Sequence, residues 1–232
     1  MAKLVFDIET IGEDFDSLDK ITRDSLTRWL KKESESEEEY KIALEELKAG
    51  LGFSPLTGSI AAIGVLDVER NLGAVYYQNP GKPDKDFEEG GITLRAMGEK
   101  EMLEKFWEGA IKYQQFISFN GRAFDAPFLL VRSAVHGVRP TVNLMPYRYA
   151  NDTTHLDLLD QLTFYGSVRK KGNLHLWSRV FGIKSPKTEG ITGEDVGQLF
   201  KEGKCLDIAR YNVGDLRATR ELYLTWERYI RF

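Results

Sequence analysis

Apolar and polar residues alternate from the start of the chain. In Lys3-Leu-Val-Phe-Asp-Ile-Glu-Thr10 a strand would place Leu4, Phe6 and Ile8 on one face and Val5, Asp7 and Glu9 on the other. The rhythm then changes: Phe15, Leu18, Ile21, Leu26, Trp29 and Leu30, then Tyr40, Leu44 and Leu47, recur at helical spacing among charges until Gly50 and Gly52. That pattern predicts a helical hairpin inserted after the first strand. Residues 59–69 and 72–78 predict two meander strands joined at Arg70-Asn71, and 79–98, rich in Pro, Gly and Asp, reads as loop. A helix is predicted over 99–113, with Met102, Leu103, Phe106, Trp107 and Ala110 as its apolar stripe. Phe116 to Phe119 form a short strand ended by Asn120-Gly121, a helix follows through Phe128, Leu129 and Val131, and 138–142 suggests one more strand. Helices are predicted over 155–165, 173–181, 194–202 and about 206–229. Strands first, alternation next and helices last predict an α/β fold with one central sheet, without internal repeats.

Composition narrows the class. With 232 residues, 42% hydrophobic and 29% charged, the chain suits one sizeable core rather than a disordered segment. No apolar run approaches the roughly 20 residues needed to cross a bilayer, so no membrane association is expected. The N-terminus runs almost directly into the first strand, so no secretory signal is expected. Cys205 is the single cysteine, which suits a reducing cytoplasm, and Cys205, His136, His155 and His175 are too scattered for a zinc site. The net charge of −4 runs against nucleic-acid binding, but residues 33–46 concentrate seven glutamates against one lysine. Without that stretch the chain is close to neutral, and Arg169-Lys170-Lys171 forms a local basic cluster whose default reading is an exposed turn.

Candidate chemistry is carried by carboxylates. Asp7 and Glu9, side by side within an apolar strand, repel each other and are costly to bury unpaired, a conflict that a divalent cation resolves. All-oxygen ligands favour magnesium or manganese. The competing account places this strand at a solvated sheet edge. Asp125, in Asn120-Gly-Arg-Ala-Phe-Asp-Ala-Pro127, falls where a helix begins, and helix capping explains Asp125 and Pro127 without explaining Asn120, Gly121 and Phe124. Tyr211 and Asp215 are four residues apart on one face of the last helix, in the stripe of Ile208, Leu222, Trp226 and Tyr229. Asp215 therefore occupies a position that ought to be apolar, and the neighbouring Gly214 weakens the helix, hinting at a close approach. Arg210 or Arg217 could pair with Asp215, but both lie off its face, which favours metal ligation.

These three segments together resemble the DEDD exonuclease superfamily, in particular the proofreading 3′-5′ exonuclease domain of family B DNA polymerases. Phe6-Asp-Ile-Glu-Thr10 is similar to that family's first motif, Asn120 to Asp125 to its second, and Tyr211 to Asp215 to the tyrosine form of its third. Arg210 stands where the histidine form would place its His. The stretch Phe181-Gly-Ile-Lys-Ser-Pro-Lys187, with Gly190 and Val196, is similar to stand-alone members. The resemblance implies a ribonuclease H-like fold over 1–232, with a five-stranded mixed sheet flanked by helices, and leaves the acidic helical insert at about 13–54 without a role. It implies a metal-dependent 3′-5′ exonuclease acting on DNA, single-stranded by preference, and releasing 5′-mononucleotides. Asp7, Glu9, Asp125 and Asp215 would hold two cations, Mg2+ or Mn2+, roughly 3.5–4 Å apart. One would activate a water and the other stabilise the departing 3′ oxygen, while Tyr211 orients that water. Thr10 and Ile11 would contact the terminal nucleotide through their backbone, Asn120 and Gly121 would lie near the scissile phosphate, and Phe124 would stack on a base or pack in the core. Rival readings are an RNA exonuclease of the same fold, a non-catalytic nucleic-acid-binding module, and a protein adaptor using the insert. Any proofreading role would require a separate polymerase or repair partner.

Overall fold

The alternation of the first residues becomes β1 (Lys3–Gly12), whose Leu4, Phe6 and Ile8 enter one apolar layer while Val5 enters the other. Both faces of β1 are covered, which makes it a central strand and removes the solvated-edge account of its acids. The structure is a computed structural model that describes residues 1–81, 86–149, 154–185, 190 and 192–231.

Between β1 and the next strand lie α1 (Lys20–Thr27), α2 (Leu30–Glu33) and α3 (Glu37–Gly50). Asp19 and Ser36 cap α1 and α3, and Glu37, Glu38 and Glu39 place negative charge at the positive end of the α3 dipole. The acidic run is thus the first turn of a helix as well as its solvated face. No residue from 13 to 57 belongs to either apolar core.

The sheet continues with β2 (Gly58–Asp67), β3 (Gly73–Tyr77), β4 (Phe87–Glu89), β5 (Ile92–Ala96), β6 (Gln115–Ser118) and β7 (His155–Asp157). Their order is β4-β5-β3-β2-β1-β6-β7, with β1 antiparallel to β2 and parallel to β6. The sheet has seven strands rather than the expected five. The hairpin of β4 and β5 lies in the stretch read as loop, where only Ile92 and Leu94 are buried, too few to outweigh the Gly-, Pro- and Asp-rich surroundings. β7 lies inside a predicted helix, because Leu156, Leu158, Leu159 and Leu162 satisfy a helical period as readily as a strand followed by the short α6 (Leu158–Leu162). Residues 138–142 form no strand: Val138 and Val142 pack on the core from an extended loop, with Thr141 Oγ1 donating to the Trp107 carbonyl at 2.7 Å.

Helices cover both faces. α4 (Glu99–Ala110) and α5 (Asp125–Val135) pack on the face of Phe6, where Phe6 meets Phe106 and Phe116 at ring separations of 5.9 and 6.3 Å. Each such pair adds about 0.5–1.5 kcal/mol beyond its buried area. The opposite face receives α7 (Leu174–Val180), α8 (Val196–Lys201) and the 25-residue α9 (Cys205–Tyr229). The stripe of α9 is buried at Ile208, Leu222 and Trp226, whereas Tyr229 emerges 69% exposed at its end.

Candidate metal centre

Asp7 and Glu9 leave β1 on the face covered by α9, and α9 comes unusually close there. Gly64 of β2 pairs with Asp7, and a Cβ on Gly64 would stand 1.9 Å from Asn212 Oδ1 and 2.7 Å from Leu216 Cδ1. The missing side chain lets the helix settle on the sheet, so that Asn212 Nδ2 donates to Asp7 Oδ2 at 2.8 Å. One turn on, Asp215 joins the pair: carboxylate oxygens of Asp7, Glu9 and Asp215 all lie within 4.8 Å of one another. Glu9 and Asp215 are buried and Asp7 is half-buried. Such a cluster could hold a divalent cation. Arg210 and Arg217 turn instead to the β4–β5 hairpin, Arg210 pairing with Glu89 at 3.1 Å and Arg217 Nη2 donating to the Gly90 carbonyl at 3.0 Å.

Asp125 approaches from the other side. It is the first residue of α5, and Phe124, not Asp125, occupies the cap position without a side-chain hydrogen bond. The register of β1 with β6 runs through Val5 and Ile117, and just beyond, β6 gives way to the turn at Asn120. The Ile8 N–H is met there by Asp125 Oδ1 at 2.9 Å. The buried carboxylate of Asp125 thus bridges to β1 rather than capping its own helix.

The acids are electrostatically frustrated. Burial, then the charges of Asp125, Asp215 and Glu9, push the Asp7 carboxyl well above the usual range. Burial, then Asp215 and Asp125, do the same to Glu9. Asp125 is pushed up to about 7, again mainly by burial, with the Ile8 N–H pulling the other way. The phenol of Tyr211 is raised by burial, then by Asp215, Glu9 and Asp7, and its hydrogen bond with Asp215 adds to the shift. Tyr211 therefore stays protonated, a hydrogen-bond donor rather than a base.

The remaining expected residues flank Glu9 or precede Asp125 in the chain. Thr10 Oγ1 donates to the Gly52 carbonyl at 2.7 Å, and Ile11 packs against the apolar layer under α9. Phe124 does not sink into the core alone: half-buried, it meets Phe128 at 5.5 Å and the exposed Phe53, at the end of the insert, at 6.5 Å. Asn120 adopts a left-handed φ of 64°, and a Cβ on Gly121 would stand 2.2 Å from Ser118 Oγ. This tight turn hangs on Asp157, whose carboxylate accepts the N–H groups of Asn120 at 2.8 Å, Arg122 at 3.0 Å and Leu159 at 3.0 Å. Asp157, Phe53 and Asn212 were not singled out from sequence. Asp157 was hidden inside an apparent helix, and Phe53 touches Phe124 only through tertiary folding. Asn212 lay within the third motif, where a polar residue beside the apolar stripe was the available signal. Arg169, Lys170 and Lys171 are exposed, as the turn reading expected, while Pro186 and Lys187 lie outside the described residues.

A mixed sheet flanked by helices, with carboxylates of the interior strand β1 and of α9 gathered together, defines a ribonuclease H-like fold carrying an acidic site. Residues 80–231 match the family described as predicted 3′-5′ exonucleases related to the exonuclease domain of PolB, and the chain belongs to that family. The match includes Asn120 to Asp125 and Tyr211 to Asp215 but not β1. Among solved structures, the chain is similar to the family B DNA polymerase from the hyperthermophilic archaeon Pyrobaculum calidifontis, with a TM-score of 0.57 and 16% identity over 98% of this chain. It spans 24% of that polymerase chain. None of the curated protein sequences compared with it matches. Among the described residues, no helix is long and apolar enough to cross a membrane.

Proposed function

We propose that this chain is a metal-dependent 3′-5′ exonuclease that removes 5′-mononucleotides from the 3′ end of single-stranded DNA. The observation that carries it is the convergence of Asp7, Glu9 and Asp215 within 4.8 Å, with the Tyr211 phenol bonded to Asp215 at their edge. The donor set fits a divalent cation: the oxygens are hard, the carboxyls resist ionisation without a counter-charge, and the buried Asn212 Oδ1 beside them has no hydrogen-bond partner among the described residues. Asp7, Glu9, Asp125 and Asp215 would hold two such ions, Mg2+ or Mn2+. When bound, these would supply the positive charge that keeps the acids ionised and stabilises charge developing at the phosphate.

The protein's own groups do the positioning. Asn212 holds Asp7 in place through its amide N–H, and the Ile8 N–H does the same for Asp125. Tyr211 keeps its proton and directs its O–H at the carboxylate edge, where it orients the attacking water. Thr10 Oγ1 is engaged with Gly52, so any contact of Thr10 and Ile11 with the terminal nucleotide runs through backbone groups that the pairing with β2 leaves over. The Asn120-Gly121 turn, fixed by Asp157, lies on the phosphate side, and the Phe124–Phe53 pair provides an aromatic edge for a base. Stacking of this kind is indifferent to sequence and worth about 1–3 kcal/mol per base, which suits removal of any terminal nucleotide.

The test uses 5′-labelled single-stranded DNA, duplex ends and RNA side by side, with and without magnesium or manganese. The expected result is a ladder shortening from the 3′ end, fastest on single-stranded DNA, dependent on metal and absent in Asp7→Ala. Degradation without metal, or activity retained by Asp7→Ala, overturns the reading, and a preference for RNA overturns its substrate.

A further inference from the structure

Across a cavity from the Asn120–Arg122 turn the surface carries aromatic residues that the chemistry described above does not use. Tyr147, Tyr149 and Tyr165 are 73%, 57% and 42% exposed, yet they cluster, with Tyr149 5.8 Å from Tyr147 and 5.1 Å from Tyr165 between ring centroids. A contiguous exposed aromatic patch commonly marks a binding surface. Tyr165 is also held unfavourably. It follows Phe164 in a pair of non-glycine residues with left-handed φ values of 54° and 49°, pinned by the Tyr165 N–H donating to the Asp160 carbonyl at 2.7 Å. Such backbone conformations persist only where the surroundings enforce them.

Tyr165 opens onto a cavity of about 440 Å³ whose walls include Asn120, Arg122, Arg148, Asp157 and Lys171. Its acids are already occupied, Asp160 by the forked guanidinium of Arg148 and Asp157 by three backbone N–H groups. Besides Arg148, the cavity holds two further cations, Arg122 and Lys171. Arg122 Nη1 is buried without a hydrogen-bond partner among the described residues, although Nη2 of the same group donates to the Pro146 carbonyl at 2.8 Å. Lys171 ends the exposed run Arg169-Lys170-Lys171. The cavity adjoins the turn that leads to Asp125: Asn120 and Arg122 line it, and a Cβ on Gly121 between them would stand 3.3 Å from Asp125 Oδ2.

We propose that Tyr147, Tyr149, Tyr165 and the adjoining cavity with Arg122 and Lys171 form a shelf for the single-stranded polynucleotide upstream of the scissile end. Its bases stack on the tyrosines and its phosphates meet the two cations. Aromatic faces interleaved with basic side chains are the general chemistry of sequence-tolerant single-strand binding. This deepens the exonuclease reading of the acidic site and rests on it. It also explains how a chain with net charge −4 can bind a polyanion: the cations are local, and the acid is concentrated in the insert.

The test separates the shelf from the chemistry. Binding of 5′-labelled oligothymidylates of two to eight nucleotides is followed by fluorescence anisotropy in EDTA, where no turnover occurs. Hydrolysis of the p-nitrophenyl ester of thymidine 5′-monophosphate is followed separately with Mn2+. For the wild type, affinity should rise with length. In the Tyr147→Ser/Tyr149→Ser variant the rise should flatten, with about tenfold lost per stacked base, while circular dichroism shows the fold intact. Lys171→Gln should reduce the slope of log affinity against log salt by roughly 0.7, the contribution of one single-strand phosphate. If both variants bind every length as the wild type does, the shelf is overturned, as it would be were the patch a protein-docking surface. If the wild type binds with the expected length dependence but never hydrolyses the ester, the shelf stands and the exonuclease reading falls.

Discussion

At Asp215 an acid sits in an apolar stripe, and the structure shows what that costs. Burial first, and then the neighbouring charges, Asp215 among them, keep Asp7 and Glu9 from ionising easily, so part of the repulsion in the metal-free protein comes from Asp215. Asp215→Asn should therefore stabilise the metal-free protein by on the order of 1–3 kcal/mol in denaturant unfolding. The same change should abolish hydrolysis and the stabilisation by added Mn2+, which for the wild type would reach about 2.7 kcal/mol at a hundredfold excess over Kd. An unchanged or lowered metal-free stability would contradict the repulsion. Tyr211→Phe removes only the phenol O–H: turnover should drop by about 10²-fold or more, with the Mn2+-induced stabilisation retained. Equal loss of both would move Tyr211 from orienting water to building the metal site. Nearby, the His155 imidazole is buried, its Nδ1–H donating to the Leu144 carbonyl at 2.7 Å and Nε2 accepting from Ser118 Oγ at 2.7 Å. Burial lowers its pKa from 6.5 to about 4, so its contribution to stability is full above 6.5 and drains as the pH falls towards 4. At pH 5 the wild type should have lost about 2 kcal/mol more than His155→Gln, relative to pH 7.5. Parallel pH profiles for the two proteins would refute this.

At the scale of elements, the site is a contact between one helix and two strands. β1 supplies Asp7 and Glu9, α9 supplies Tyr211, Asn212 and Asp215, and Gly64 of β2 sets their separation. Gly64→Ala would force α9 outward, because its Cβ would overlap Asn212 and Leu216. A destabilisation of about 1–3 kcal/mol is expected, with disproportionate loss of activity as Asp215 withdraws from Asp7. Wild-type turnover in a folded Gly64→Ala protein would show that the close approach is not needed. The hairpin of β4 and β5 has a related task, since it engages Arg210 and Arg217 and so leaves Asp215 to the acidic cluster.

For the whole molecule, charge and core are partitioned. The two apolar layers draw nothing from residues 13–57, while the acidic run of 33–46 sits on that segment. Replacing residues 14–49 by a short linker should leave cooperative unfolding intact, because Gly52, Phe53 and Thr57 remain to support Thr10 and Phe124. Relieved of local acid, the shortened protein should bind single-stranded DNA more tightly at low salt, and the difference should fade above about 0.5 M salt as screening shortens the Debye length. Weaker binding after deletion would instead assign the insert a direct role in holding substrate.

The sequence by itself determined the central strand and the segregation of its faces, the inserted helices, the long last helix and the ordered motifs that resemble proofreading exonucleases. These are local properties: alternation, helical period and residue order survive without a partner. The β4–β5 hairpin, the identity of β7 and the loop at 138–142 depended on which neighbours were available to pair, and short segments such as Leu156 to Leu162 fit two periods equally well. The convergence of Asp7 with Asp215, residues more than two hundred positions apart, belonged to tertiary structure. So did the bridging of Asp125 to Ile8 and the support of Asn120 by Asp157. Each is a through-space contact, set by how closely a helix can approach a sheet, and Gly64 shows its meaning only when Asn212 is found lying on it.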